Sequence, residues 1–178
     1  MIAVARATIS KWYNIIMTEQ KAVSISEILR CENVIIKEDG FKDIGDLIDF
    51  GLSFIISKYE DSNKPELNII KEKIEKSPSF YTVFENGLFI PHLKLENISE
   101  FKSVLIVTPK PVKDEKTNHN IYITFMLFSP MTQNFFEKHL NILSTITMIF
   151  KDSVIKGVIK LKNSSDICSY IKSIERNE

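Results

Sequence analysis

The sequence predicts a single α/β domain, a sandwich in which a mixed sheet of about five strands is flanked by helices. Segments with a helical apolar period alternate along the chain with short apolar runs bounded by turn residues, which is typical of a layered α/β fold. The length of 178 residues and the hydrophobic content of 44% suit one domain with a full core.

The helices are predicted from apolar spacing and from the residues that start or stop helices. Apolar side chains recur at intervals of three and four in residues 43–59, and Pro65 opens a second helix because proline suits the first helical turn. Nearer the N-terminus, Ser24 and Ser26 predict the capped start of a short helix. Three further helices are expected at residues 134–150, 153–160 and 165–174.

The strands are predicted from short β-branched and aromatic runs at residues 34–36, 80–84, 88–90, 103–107 and 121–128. Asn86-Gly87 lies between two of these runs and predicts a hairpin, with Pro91 ending the second strand. The runs at 103–107 and 121–128 are almost continuously apolar, which indicates central strands covered on both faces. Residues 1–24 are expected to be an N-terminal extension of a domain at 25–178, with Met17 as an alternative start.

Composition excludes several classes of function. Lys plus Arg equals Asp plus Glu at 23 each, so the net charge is zero and no basic surface argues for nucleic acid. No apolar run approaches the roughly 20 residues of a membrane helix. Cys31 and Cys168 are far apart in sequence, and we expect free thiols in a reducing, cytoplasmic compartment; a long-range disulfide is the alternative.

The three histidines, His92, His119 and His139, are the candidate residues for chemistry. The sequence contains no Gly-rich phosphate loop, HExxH pair, CxxC pair or GxSxG elbow, so we expect no metal and no cofactor. His92 follows an apolar strand and Pro91, a position that holds an imidazole rigidly near a sheet end; the alternative is a solvated loop histidine, which composition alone favours. His139 lies on or beside the buried stripe of a helix and is either a core residue or a second site residue. His119, in a polar run, is expected to be an exposed loop residue.

The segment from Tyr81 to His92, which ends Asn-Gly-Leu-Phe-Ile-Pro-His, resembles the active-site strand-turn-strand of the fructose, mannitol and nitrogen-regulatory type IIA proteins of the bacterial sugar phosphotransferase system. That family stretch reads roughly Ser-Thr-Gly-Ile-Gly-Asn-Gly-Ile-Ala-Ile-Pro-His. The family's second motif, His-Leu-x-x-Leu, is matched from His139 to Leu143. The similarity covers roughly residues 25–174.

The resemblance implies a phosphocarrier. His92 is then the phosphoryl acceptor and His139 a supporting hydrogen-bond donor, with Lys76, Lys94 and Thr82 as phosphate-binding residues. The expected donor is an HPr-type phosphocarrier protein, and the expected acceptor is a IIB component or a regulatory target. Because the chain carries no IIB or IIC domain, the resemblance favours a stand-alone regulator of the nitrogen type. An apolar rim is expected to contact these partners, with its candidate residues at Phe84, Phe89 and Leu93.

The sequence also departs from the family pattern. Lys76 stands where the family has an arginine, and lysine lacks the planar fork of a guanidinium. Larger or charged residues replace small family residues at Val83, Glu85, Phe89 and Leu93. The alternative function is therefore a non-catalytic regulatory or protein-interaction module with the same fold.

Overall fold

A computed structural model describes residues 23–58, 67–76, 81–96 and 98–176 of the chain. The helices in these ranges are α1 (Ile25–Ile28), α2 (Ile44–Ile56), α3 (Leu67–Lys76), α4 (Gln133–Ile149), α5 (Asp152–Val158) and α6 (Ser164–Glu175). The strands are β1 (Val34–Ile36), β2 (Tyr81–Val83), β3 (Leu88–Leu95), β4 (Lys102–Lys113) and β5 (Asn120–Pro130). The predicted α/β class and the five-stranded sheet are confirmed, and the predicted extension at residues 1–24 lies almost wholly outside the described residues.

The five strands form one mixed sheet in the order β1-β4-β5-β3-β2. The pairs β1–β4 and β3–β5 are parallel, whereas β4–β5 and β2–β3 are antiparallel. Strands β4 and β5 are central, as their continuous apolar runs predict, but both extend further than the sequence indicates. Polar residues such as Lys113 and Asn120 still pair at the far end of the β4–β5 ladder, because a ladder satisfies backbone groups whatever the side chain is.

Two apolar layers cover the two faces of this sheet. One layer packs α1, α4, α5 and α6 against strand residues such as Leu88, Ile90 and Leu127. The other packs α2 and α3 against residues such as Phe89 and Leu93. Consecutive residues of β3 thus face opposite layers, as the two-residue period of a strand requires.

The ends of the described chain meet in the first of these layers. Ser24 caps α1, and its hydroxyl donates to the Glu175 carboxylate at 2.9 Å, with the Ile25 amide hydrogen-bonded to the same carboxylate. Cys31 and Cys168 form a disulfide there, with Cα atoms 5.7 Å apart. The expectation of free thiols is therefore wrong, because packing of α6 beside the turn before β1 brings together two cysteines that are 137 positions apart.

The second strand of the predicted hairpin does not stop at Pro91 but continues through His92 to Leu95. Tyr81, the first residue of β2, lies opposite Pro91, while the other side of β3 stays paired with β5 as far as Leu95. Pro91 therefore marks where the described β2 pairing begins rather than where β3 ends. In the described ranges, His92 to Leu95 pair with β5 alone.

Within the described ranges, no helix is long and apolar enough to cross a membrane.

Candidate phosphoryl-transfer site

The hairpin that leads into β3 is fixed by its turn. Gly87 has φ of +89°, and a Cβ atom there would lie 2.8 Å from the Asn120 carbonyl oxygen, so only glycine fits without rearrangement. The Asn86 side chain accepts from the Leu88 amide and donates to the Phe150 carbonyl at 2.9 Å. The hairpin is thereby tied to the end of α4, the helix that carries His139.

His92 projects from β3 on the face covered by α4, and its side chain is half-buried. Its Nδ1 lies 3.1 Å from the Ile90 carbonyl oxygen. A carbonyl oxygen can only accept, so Nδ1 carries the proton of the neutral ring and Nε2 keeps its lone pair. Burial lowers the pKa of His92, the Ile90 hydrogen bond partly opposes this, and the Lys94 charge lowers it further. The ring is therefore neutral at physiological pH, with its lone pair on Nε2.

His139 lies in the first half of α4 and is only 3% exposed. Its Nδ1 is 2.8 Å from the hydroxyl oxygen of Ser129, near the end of β5. Burial, followed by the proximity of His92 and the charge of Lys94, lowers the pKa of His139 to about 4. His139 is therefore neutral at pH 7 and can donate through one ring nitrogen only.

The two histidines converge, as the motif pair predicts, with ring centroids 5.4 Å apart and planes tilted by 46°. The parallel register of β3 and β5 produces this arrangement, since His92 lies beside Leu127 and Lys94 beside Ser129. The chain leaves β5 directly into α4, which packs on the sheet face that His92 occupies. The pair thus forms one site at the carboxyl ends of two adjacent parallel strands, the usual ligand position in α/β sheets.

Lys94 supplies the positive charge beside this pair. It lies two residues after His92, on the same face of β3, and its Nζ is 4.0 Å from the centroid of the Phe136 ring, within cation–π range. Its charge lowers the pKa of both histidines. The structure thus brings Lys94 close to the histidine pair, and its role in binding phosphate stays a prediction.

The remaining predicted phosphate-binding residues are placed less directly. Thr82 is exposed and lies opposite Ile90, so it shares the face of His92, one diagonal step away. Lys76 ends α3, but its side chain lies outside the described residues. His119 is half-buried in the turn before β5, about 30 Å along that strand from Ser129, and takes no part in the site.

The predicted apolar rim is wrong in two of its three residues. Phe89 and Leu93 point into the opposite layer and are 0% and 2% exposed, because odd-numbered residues of β3 face away from His92. Phe84 is half-buried against the layer on the His92 side. The exposed apolar side chains just after β5 and at the start of α4, the helix that carries His139, are instead Met131, Phe136 and Leu140, all at least half exposed.

Sequence reasoning missed Ser129 and Phe136. Ser129 has the strand parity of Leu127 and Phe125, which face the His92 layer, so its inward direction could have been inferred from the alternation of β5. Phe136 lies three residues before His139, which places both on one helix face. Neither signal indicates that Ser129 lies within hydrogen-bond distance of His139 or that Phe136 lies under the Lys94 ammonium.

The sequence model of the phosphoenolpyruvate-dependent sugar phosphotransferase system, EIIA 2, matches residues 27–174. A comparison with curated proteins finds no significant match.

Among solved structures, the fold is similar to the nitrogen regulatory protein IIA-Ntr of Neisseria meningitidis, with a TM-score of 0.67 and 20% identity over 83% of this chain and 98% of that one. It is also similar to a putative PTS IIA (PtxA) of Streptococcus mutans, with a TM-score of 0.62 and 17% identity over 82% and 90% of the two chains. IIA mannitol of Escherichia coli gives a TM-score of 0.61 and 12% identity over 80% and 98%. At these identities the structures show a shared fold, and the match over residues 27–174 shows that the chain belongs to the EIIA 2 family of the phosphoenolpyruvate-dependent sugar phosphotransferase system.

Proposed function

We propose that this protein is a phosphocarrier that accepts a phosphoryl group on Nε2 of His92 from an HPr-type protein. The observation that carries the proposal is the pair of neutral imidazoles, 5.4 Å apart, in a chain of the EIIA 2 family. The carrier passes the group to a IIB component or signals by its phosphorylation state to a regulatory target. The similarity to a nitrogen regulatory protein supports the second of these outcomes.

The transfer step uses the Nε2 lone pair of His92, which is free because the ring proton is held on Nδ1 by the Ile90 carbonyl. The Nε2 lone pair attacks the phosphorus of the donor phosphohistidine in line, a new N–P bond forms, and the donor N–P bond breaks. The bonding electrons return to the donor imidazole. His92 keeps its Nδ1 proton on the Ile90 carbonyl at 3.1 Å, so the phosphorylated ring is an imidazolium whose positive charge is offset by the phosphoryl oxygens, and loss of the Nδ1 proton makes it neutral. The donor bond is already reactive, and the step calls on no metal or nucleotide.

Stabilisation of the phosphoryl oxygens falls to His139 and Lys94. A buried donor beside a developing charge acts more strongly than one in water, and His139 is almost fully buried. Lys94 can leave the Phe136 face to meet the incoming oxygens, since a cation–π contact at an exposed ring is worth only about 0.5–1 kcal/mol. Thr82 and Lys76 are secondary candidates for the same oxygens.

The exposed side chains Met131, Phe136 and Leu140 form the proposed contact surface for the protein donor. Met131 directly follows β5, and Phe136 and Leu140 lie on the first turns of α4, the helix that carries His139. Apolar side chains ringed by polar ones are typical of docking patches. The proposed location is the cytoplasm, where we expect such a donor, although the Cys31–Cys168 disulfide is uncommon in that compartment.

The second candidate is a regulatory or protein-interaction module of the same fold that is not phosphorylated. The substitution of lysine for the family arginine at position 76 favours it, because lysine cannot bind phosphate in a bidentate manner. The two functions differ in a single measurable property, the gain of a phosphoryl group.

Intact-mass measurement after incubation with phosphoenolpyruvate, Enzyme I and HPr tests the proposal. We expect one added phosphoryl group, labile in acid and stable in alkali as a phosphoramidate should be. His92→Ala should abolish the gain, and His119→Ala is the matched control because that ring lies in the distant turn. An unmodified wild-type mass with the donor proteins of its own organism would favour the interaction module.

A further inference from the structure

Ser129 is a buried polar residue whose role neither the family match nor the phosphocarrier mechanism assigns. It is 0% exposed, and its hydroxyl oxygen lies 2.8 Å from Nδ1 of His139. Within the described ranges this is the single hydrogen bond of the side chain. Burying a hydroxyl in an apolar layer is costly unless the hydroxyl is hydrogen-bonded. The direction in which Ser129 donates therefore indicates the protonation pattern of the His139 ring.

Two arrangements of the proton between these groups are possible, and only one satisfies the hydroxyl. If Nδ1–H donated to Ser129, the hydroxyl proton would be left without an acceptor in a buried place, which is unfavourable. If the hydroxyl donates to Nδ1, both groups are satisfied. The second arrangement leaves the proton of the neutral ring on Nε2.

We propose that Ser129 is a positioning residue that fixes His139 as the Nε2–H tautomer, so that this ring presents a donor, and not a lone pair, to the phosphoryl group on His92. The proposal rests on the phosphocarrier function proposed above. It gives the two histidines opposite tautomers. His92 is held with its proton on Nδ1 by the Ile90 carbonyl, and His139 with its proton on Nε2 by the Ser129 hydroxyl.

The register of the sheet makes this pairing possible. Ser129 lies beside Lys94 in the parallel β3–β5 ladder, two positions beyond the pair of His92 and Leu127. Strand parity places the Ser129 side chain on the His92 face, under the first half of α4. The neutrality of His139 at pH 7 gives the tautomer its importance, because a protonated ring would donate from both nitrogens in any case.

Nitrogen-15 NMR of the histidine rings tests the assignment without any phosphoryl donor. At pH 7 we expect the His139 shifts of the Nε2–H form in the wild type and a mixture of tautomers in Ser129→Ala. Ser129→Thr, which keeps a hydroxyl, should restore the Nε2–H form. Thr124→Val is the matched control, since it removes a buried hydroxyl from the opposite face of the same strand. A wild-type His139 in the Nδ1–H form would overturn the proposal whether or not any variant folds.

Phosphoryl transfer gives the second readout. Ser129→Ala should lower the first-order transfer rate constant about three- to tenfold, in proportion to one lost hydrogen bond, with an unchanged half-saturating HPr concentration. Thr124→Val should leave both unchanged. An unaltered tautomer and an unaltered rate in Ser129→Ala would also overturn the proposal. If the wild type accepts no phosphoryl group, the phosphocarrier function fails, and the NMR result still decides whether Ser129 fixes the tautomer.

Discussion

The imidazole of His139 lies with its centroid 5.4 Å from that of His92, and the two rings are held by different kinds of partner. A backbone carbonyl holds His92 and a buried hydroxyl holds His139. Since a carbonyl only accepts and a hydroxyl can donate, these partners support the proposed roles of His92 as nucleophile and of His139 as hydrogen-bond donor.

His139→Ala should slow phosphorylation of His92 without abolishing it. Loss of a buried donor to a developing anion costs about 2.7–4 kcal/mol, equivalent to a rate lower by roughly 10²–10³. Rapid-quench transfer from phosphorylated HPr measures this rate, and His119→Ala provides the wild-type baseline. A rate unchanged by His139→Ala would show that this ring is only a core residue.

The free energy of unfolding should fall as pH decreases from about 6.5 towards 4. The pKa of His139 is about 4 in the folded state and about 6.5 when unfolded, so the unfolded chain takes up the proton first and gains stability as pH falls. The full difference is about 3 kcal/mol at 1.36 kcal/mol per pKa unit. Lowering of the His92 pKa acts in the same direction. Urea unfolding at several pH values should give a shallower dependence for His139→Gln, and an identical dependence would contradict the assignment.

Lys94→Gln should slow transfer and raise the pKa of both histidines. The lysine charge lowers both pKa values. Loss of the proposed charged hydrogen bond from Lys94 to a phosphoryl oxygen, worth about 1.5–3 kcal/mol, corresponds to a rate lower by roughly 10- to 150-fold. Lys113→Gln is the matched control, because this exposed lysine ends β4 beside Asn120, at the far end of the sheet. Histidine titration by NMR checks the pKa values, and unchanged titration curves in Lys94→Gln would refute the electrostatic role.

Reduction of the Cys31–Cys168 disulfide should lower the free energy of unfolding by about 2–5 kcal/mol, the usual loss for a native bridge. The bridge spans 137 positions and joins the turn before β1 to α6. Guanidinium unfolding with and without reductant measures the change. The Cys31→Ser/Cys168→Ser variant should be indifferent to reductant, and two titratable thiols in the oxidised protein would show that the bridge does not form.

Thr124→Val should raise the free energy of unfolding by about 1 kcal/mol. The Thr124 hydroxyl is buried and has no hydrogen-bond partner within the described ranges, and leaving such a group unsatisfied costs about 1–3 kcal/mol. Thr108→Val is the contrasting variant, since that hydroxyl donates to the Ile121 and Tyr122 carbonyls. Thr108→Val should lower the free energy of unfolding. Urea unfolding measures both variants, and a lower unfolding midpoint for Thr124→Val than for the wild type would contradict the prediction.

Local patterns in the sequence determined the α/β class, the five strands and the positions of the longest helices. Periodicity, proline and the Asn86-Gly87 turn act over a few residues, so they can be read directly from the chain. The resemblance around His92 and His139 also predicted that these two rings meet. The proximity of the two histidines is therefore the part of the site that could be predicted from the sequence.

The tertiary structure decided what surrounds those rings. Strand register places Ser129 beneath His139, helix packing sets Lys94 over Phe136, and strand parity buries Phe89 and Leu93 where the sequence suggested a docking rim. Packing also joined Cys31 to Cys168. These contacts link distant parts of the chain, and the direction of a side chain across a sheet changes with a shift of one residue in register. Local patterns carry no such information, and the fold supplies it.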